Sequence, residues 1–379
     1  MMPTRRRQWL ASTAAWMLCH PITSWAAENS AALVLQPREL RFPRDHGTHN
    51  ETRTEWWYLT GHGEDTDGQP WGFQVTFFRS RVDPASSLSS RLAARHLLFA
   101  HAAITDVRSA RLHHDQRMHR WNGAPPGSPL AQQHAFASDA DTTVHLNDWH
   151  LQRDPAGRYQ TRISGNALGI ELTAQPTQPL LLQGDQGFSR KGPDPSQSSF
   201  YITHPQLAVQ GQLRSDGRMV QITGRAWLDH EWSEALMHPD AVGWDWIGMN
   251  LHDGSSLTAF RLRRRDGSAV WAGGSWRGPV SGATGVAPAR PFGPDEVQWL
   301  PGRRWTSPRT GASYPVEWQV LTPVGRFTVN ALMDAQELDS RASTGTVYWE
   351  GVSDLLDQHG RAVGRGYLEM TGYASRLVL

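Results

Sequence analysis

Short stretches of alternating apolar and polar residues, cut by Gly, Asp and Pro, recur along almost the whole chain. In "WGFQVTFFRSR", residues 71–81, Phe73, Val75 and Phe77 share one face of a strand while Gln74, Thr76 and Phe78 share the other. Both faces are partly apolar, which suits a barrel wall with a packed side and a cavity side. In "TRTEWWYLTGHG", residues 52–63, the same alternation places Glu55 and Trp57 on one face and Trp56 and Tyr58 on the other. Patterns with a helical period are scarce. The spacing predicts an all-β protein of sandwich or barrel type.

The 379 residues allow two domains of ordinary size. "RTEWWYLTGHGEDTDGQPWGFQVTFFRSR" is echoed by "GWDWIGMNLHDGSSLTAFRLRRR". In each, an acid flanked by tryptophan begins a strand, Asp-Gly (Asp67-Gly68, Asp253-Gly254) turns it, and the return strand ends in arginine. The echo suggests a duplicated β-unit, with domains at 28–205 and 206–379. Asp83 opens a polar loop leading to a strand near Leu97 to Thr105, and "HHDQRMH", residues 113–119, is expected to be a solvated loop.

Composition narrows the partners. With 37 basic and 36 acidic residues the net charge is +1, so no basic field exists for a nucleic acid, and none is expected to bind. Residues 1–27 join Arg5, Arg6 and Arg7 to a short apolar run and a small-residue ending at Ser24-Trp25-Ala26, the pattern of an export signal. Arg6-Arg7-Gln8-Trp9-Leu10 approaches the twin-arginine pattern, so the Tat and Sec routes both stay open for a periplasmic protein. The one cysteine, Cys19, lies inside this segment, which leaves the rest of the chain without disulfide, thiolate or cysteine metal ligand.

Several clusters could carry chemistry. Gly187-Phe188-Ser189-Arg190-Lys191 lacks the last glycine of a nucleophile elbow and gives no support for a hydrolase. His113, His114, Asp115 and His119 do not complete a metal set, and neither a metal nor an organic cofactor is expected. In "WLDHEWSE" Asp229 and Glu231 share one face and His230 and Trp232 the other. That histidine could position water or a ligand oxygen, or be a buried histidine bonded to a carboxylate. Arg79 and His101 could anchor a polar headgroup, and Gln74 and Phe78 lie on the cavity side of their strand. Of 18 tryptophans, many stand beside polar residues, as in Trp244-Asp245-Trp246, which suits pockets for flat or extended apolar ligands.

From about residue 38 onward the chain resembles the AttH-like family of exported lipocalin-like proteins, related to the carotenoid 1,2-hydratases. "RTEWWYLTG", "GFQVTFFR", "FAHAAITD", "QGDQGFSRKG", "GRAWLDHEWS", "GWDWIGMNL", "SPRTGASYPVEW", "ELDSRASTGTVYWEG" and "GRGYLEMTGY" carry the resemblance. It implies two tandem lipocalin- or calycin-like antiparallel β-barrels, with a hydrophobic small molecule or lipid as ligand and an ABC-type permease complex as partner. A monomer is expected. "EWWY" is similar to the first-strand signature of lipocalins, with Glu55 in the place of its glycine, which makes Trp57 core and Glu55, Trp56 and Tyr58 ligand candidates. The hydratases' Asp-His segment maps onto Asp229 and His230, with Ser233 at a glycine position. Alkene hydration needs an acid to protonate carbon and aromatic faces to shelter the cation. Trp232, Trp244 and Trp246 offer the faces, but "LTAFRLRRR" lacks the expected carboxylate, so Asp245 or Asp229 would have to serve. Binder and carrier is the leading expectation, and hydratase or isomerase the alternative.

Overall fold

The computed structural model describes residues 34–235, 237–280 and 287–376. The expected export signal and Cys19 lie outside the described residues. Among them helix is confined to two single 3-10 turns, Arg44–His46 and Asp83–Ala85, and no helix is long and apolar enough to cross a membrane. The rest is antiparallel strand and turn, arranged as a 13-stranded and a 10-stranded sheet with one small two-stranded ribbon. The architecture is all-β and fits tandem lipocalin-like barrels.

The two sheets begin alike. In the first, Thr54–Glu64 and Pro70–Arg81 form a hairpin, His96–Asp106 follows, and the opening strand pairs on its other side with Arg218–Ser233. In the second, Gly243–Leu251 and Ser256–Arg263 form the hairpin, Ala269–Arg277 follows, and the opening strand pairs with Ala362–Met370. Gly68 and Gly254 turn the two hairpins with φ of 72° and 90°, a region that strains side chains other than glycine. An acid on each opening strand meets an arginine directly across the hairpin: Glu55 opposite Arg79 and Asp245 opposite Arg261. The sequence echo is therefore a structural duplication down to its buried ion pairs.

The first sheet curls on itself. Its edge strand Arg111–Trp121 reaches the far side through Arg117, which bonds Asp148 and the Ser164 carbonyl and lies 4.6 Å from the Trp149 ring. The interior is a continuous apolar core that includes Trp57, Trp71, Trp121 and Trp149. The second sheet encloses its own core around Trp299, Trp318 and Trp349.

Two expectations shift. Ser198–Ser215 runs unbroken through residues 205 and 206 and belongs, with Arg218–Ser233, to the first sheet. The chain passes to the second sheet between Ser233 and Gly243. This strand carries a bulge, with the register shifting between His204 and Leu207 and Gln206 at φ 55°. The expected loop at 113–119 is part of the strand Arg111–Trp121, where alternation sends adjacent histidines apart.

The sheets pack face to face. Gly72 permits the approach: a Cβ there would sit 2.8 Å from Tyr367 Oη and 3.0 Å from Val352. Asn250 Nδ2 donates to the Ala226 carbonyl, and Thr105 Oγ1 donates to Gln336 Oε1 across the same seam. Between these contacts the faces part, and a cavity opens.

Candidate functional site

Cross-strand neighbours build the cavity wall row by row. On the first sheet one row runs Phe99, Phe78, Trp56, Glu231, Tyr201, and the next runs His101, Thr76, Tyr58, Asp229, Thr203. On the second sheet a facing row runs Phe260, Trp246, Glu369, Glu350. Each row exists because every second residue of an antiparallel strand shares a face, so aromatic and acidic side chains alternate across the wall. All of these residues but Thr203 line a cavity of about 350 Å³, within the ~300–1,000 Å³ typical of small-molecule sites. Lys191 and Trp244 complete its rim.

Asp229 is held from three sides. Tyr201 donates to Oδ2 at 2.6 Å, while Thr203 and the Trp227 indole donate to Oδ1 at 2.6 and 2.8 Å. Burial still outweighs these donors and pushes its carboxyl up to about 7. Glu369 is likewise raised to about 7, by burial and by the charges of Asp229 and Glu231. Burial and the neighbouring Glu369 lift Glu350 well above the ordinary carboxylate range. The cavity thus holds carboxyl groups that retain protons well above the ordinary carboxylate range beside Trp56, Tyr58, Trp246 and Phe260. Such groups can donate a hydrogen bond, or a proton, to what enters.

His101 forms the opposite end. Its Nδ1 lies 2.8 Å from Tyr348 Oη and its Nε2 2.8 Å from Ser343 Oγ, which ties the first sheet to the second. Burial lowers its imidazole to about 3, so it is a neutral hydrogen-bonding wall group.

Of the residues singled out in the sequence, Trp56, Tyr58, Phe78, His101, Asp229, Trp244 and Trp246 line this cavity. Glu55 does not. It is fully buried on the opposite face, where Thr48, both His49 donors, His230 Nε2 and Arg79 Nε meet its carboxylate. Burial opposes its charge, but Arg79, His230 and His49 hold it well below the usual carboxylate range. Arg79 borders the cavity, yet its guanidinium is engaged with Glu55 and with the carbonyls of Thr52 and His49. His230 stacks on Trp57 at 4.8 Å, and Trp232 stacks on His49 at 3.8 Å, both within this same network. Asp245 binds Arg261 Nε at 2.7 Å and Tyr373 Oη at 2.9 Å inside the second sheet. Gln74 bonds Thr76 and is buried short of the cavity.

His49, Glu55 and His230 bring three ligand-type atoms within 4.8 Å of one another. His49 and Glu55 are matched to each other, to Asp45 at 2.9 Å from His49 Nε2, to His230 Nε2 and to Arg79, while His230 Nδ1 has no partner among the described residues. A cation entering there would have to displace a guanidinium. The arrangement is that of an ion-pair network.

Sequence reading missed Glu350 and Glu369. Each is a glutamate whose neighbours on its own strand face are bulky, Tyr348 and Val352 for one and Tyr367 for the other. A charged residue on an apolar face was the available signal.

Comparison with known proteins agrees with the fold. The AttH-like family model matches residues 33–373. An AttH-type protein of Nitrosomonas europaea, known from a crystal structure, is 44% identical and superposes with a TM-score of 0.79, covering 90% of this chain and 99% of its own. Kievitone hydratase of Nectria haematococca superposes with a TM-score of 0.66 at 12% identity, over 89% of this chain and 94% of its own, a likeness of fold. A search of curated protein sequences finds no match.

Proposed function

The chain belongs to the AttH-like family, and from that premise we propose that it binds and carries a hydrophobic small molecule of lipid or isoprenoid type in the cavity between its sheets. The observation behind this reading is the cavity itself, about 350 Å³ and walled by aromatic rings interspersed with acidic and hydroxyl side chains. That volume suits a small molecule, or one end of a long one. The reading extends to a monomeric periplasmic protein that passes its ligand to a membrane complex of ABC type. The arginine-led apolar start of the sequence supports export. Native mass spectrometry of the protein purified from its own host tests both parts. The expected result is a polypeptide lacking the first 27 residues and carrying an added small-molecule mass. A bare, full-length polypeptide would count against the reading.

A second reading, hydration or isomerisation of an isoprenoid-like alkene, is favoured by one observation: protonated carboxyls and aromatic faces share a wall. Asp229, Glu350 and Glu369 are the groups placed to act as acid, because His230 lies on the other face of its strand. Product from a lycopene-like substrate that disappears in Asp229→Asn but persists in His230→Gln supports it. Absence of product from such substrates leaves carriage as the function.

A further inference from the structure

The acids of this cavity outnumber its bases. Asp229, Glu231, Glu350 and Glu369 face it, and Lys191 on its rim already pairs with Glu231 at 3.0 Å. Glu350 and Glu369 are direct partners across antiparallel strands, a spacing of about 4.5–5.5 Å between Cβ atoms. Glu350 is only 3% exposed, and its Oε1 has no hydrogen-bond partner among the described residues. Tyr58 Oη, 6% exposed on the facing sheet, also has none. Buried polar atoms are normally partnered, and these two, on facing walls and close enough to shift each other's protonation, leave between them a polar gap that a ligand can bridge.

Aromatic surface surrounds the acid pair. Trp246 and Phe260 continue its row on the second sheet, and Tyr58 meets Trp246 edge-on at 5.4 Å between ring centres. The Lys191 ammonium, 4.3 Å from the Phe260 ring centre and 4.5 Å from that of Tyr201, already shows a cation seated on these faces.

We propose that the cavity selects organic cations, with an ammonium seated against Glu350 and Glu369 and its apolar part lying along Trp56, Trp246 and Phe260. This deepens the carrier reading and rests on it, since it names the ligand class of the same cavity. Paired carboxylates and ring faces attract positive charge by the same sign of potential, and a buried pair of acids gains a counter-ion it otherwise lacks.

Proton linkage follows. In the free protein Glu350 is held well above its ordinary value and Glu369 at about 7, so the pair carries protons that a bound cation displaces. The charged and titratable groups facing the pair are Tyr58 on the first strand, Asp229 and Glu231 on Arg218–Ser233, and Tyr201 on Ser198–Ser215. On its own strands Tyr348 and Tyr367 adjoin it, both kept protonated by burial. Lys191 answers Glu231, and His101 is neutral. Affinity for a permanent cation therefore rises with pH through about 7, where Glu369 gives up its proton.

Tryptophan-fluorescence titration of the whole mature chain with three probes that share a decyl chain tests this: decyltrimethylammonium, decyldimethylphosphine oxide and decyl sulfate, each below its micelle concentration. The expected result at pH 8 is an ammonium affinity at least about tenfold above that of the neutral phosphine oxide, with the advantage shrinking at pH 5.5. Glu350→Gln and Glu369→Gln should each remove most of the advantage while leaving phosphine oxide binding intact, with circular dichroism confirming the fold. Equal or tighter binding of the phosphine oxide or the sulfate overturns the cation proposal alone. Binding of none of the three overturns the carrier reading with it.

Discussion

The Tyr201 hydroxyl accepts a hydrogen bond from Trp246 Nε1 at 3.1 Å while donating its own proton to Asp229 at 2.6 Å. One bond crosses from the second sheet to the first, and the other orients an acid that faces the cavity. The joint between the sheets and the wall of the site are therefore the same set of side chains. Ordering one orders the other.

The Glu55–Arg79 pair should be structural. Both side chains are fully buried, 2.9 Å apart, and removal of one partner leaves an uncompensated charge. Arg79→Met is expected to cost about 3–5 kcal/mol, read as a lower urea midpoint. A loss within experimental error would remove the network from the account of the fold.

Gly72→Val should disturb the seam. Its Cβ would meet Tyr367 Oη at 2.8 Å and Val352 at 3.0 Å, neither at the free end of a flexible chain. A loss of about 1–3 kcal/mol is expected, as for other overpacked sites, together with weaker ligand binding. Unchanged stability would mean that the sheets can part at no cost.

Stability should respond to pH in two steps. His46, His96, His101 and His204 are each buried and lowered to about 3, so their contribution is complete above pH 6.5 and is lost as pH falls toward 3. Asp229, Glu350 and Glu369 are raised, so they favour the fold at low pH, and for Asp229 and Glu369 that effect is lost as pH rises from about 4 through about 7. The opposing slopes partly cancel, and because the lowered histidines, His62 among them, outnumber the raised acids, the urea midpoint should rise gently between pH 4.5 and 6.5. Below pH 4 the fall should steepen, as Glu55 is held well below its ordinary value and must also be protonated. Glu369→Gln should raise stability at pH 8 relative to pH 5. A midpoint that climbs steadily on acidification would contradict this.

Much of the fold was legible from alternation and turn chemistry. The two Asp-Gly hairpins, the split of Glu55 and Trp57 from Trp56 and Tyr58, and the duplication all follow from period-two patterning. Alternation states which side chains share a face, but not which face meets a cavity. For that reason Asp229 and His230 could not be ranked: the parity was right, and only packing shows that Asp229 faces the cavity while His230 faces Glu55. Glu350 and Glu369 escaped because the opposing wall comes from strands far along the chain, and nothing local to "VYWEG" or "GYLEM" reports what lies across from it. The echo marks where the repeated hairpins lie, but not which sheet the strand Ser198–Ser215 between them joins.

The central claim, an apolar ligand held between the sheets, is tested most directly by titrating the protein with the uncharged fluorophore N-phenyl-1-naphthylamine while exciting tryptophan. Trp56, Trp244 and Trp246 border the cavity, so energy transfer to a bound probe should be strong and should saturate at one probe per chain. Thr76→Trp, which fills the cavity from the middle of its first-sheet wall, should abolish the transfer while the circular dichroism stays that of an all-β fold. Saturable transfer that persists unchanged in Thr76→Trp, or no saturable transfer in the unmodified protein, would contradict the claim.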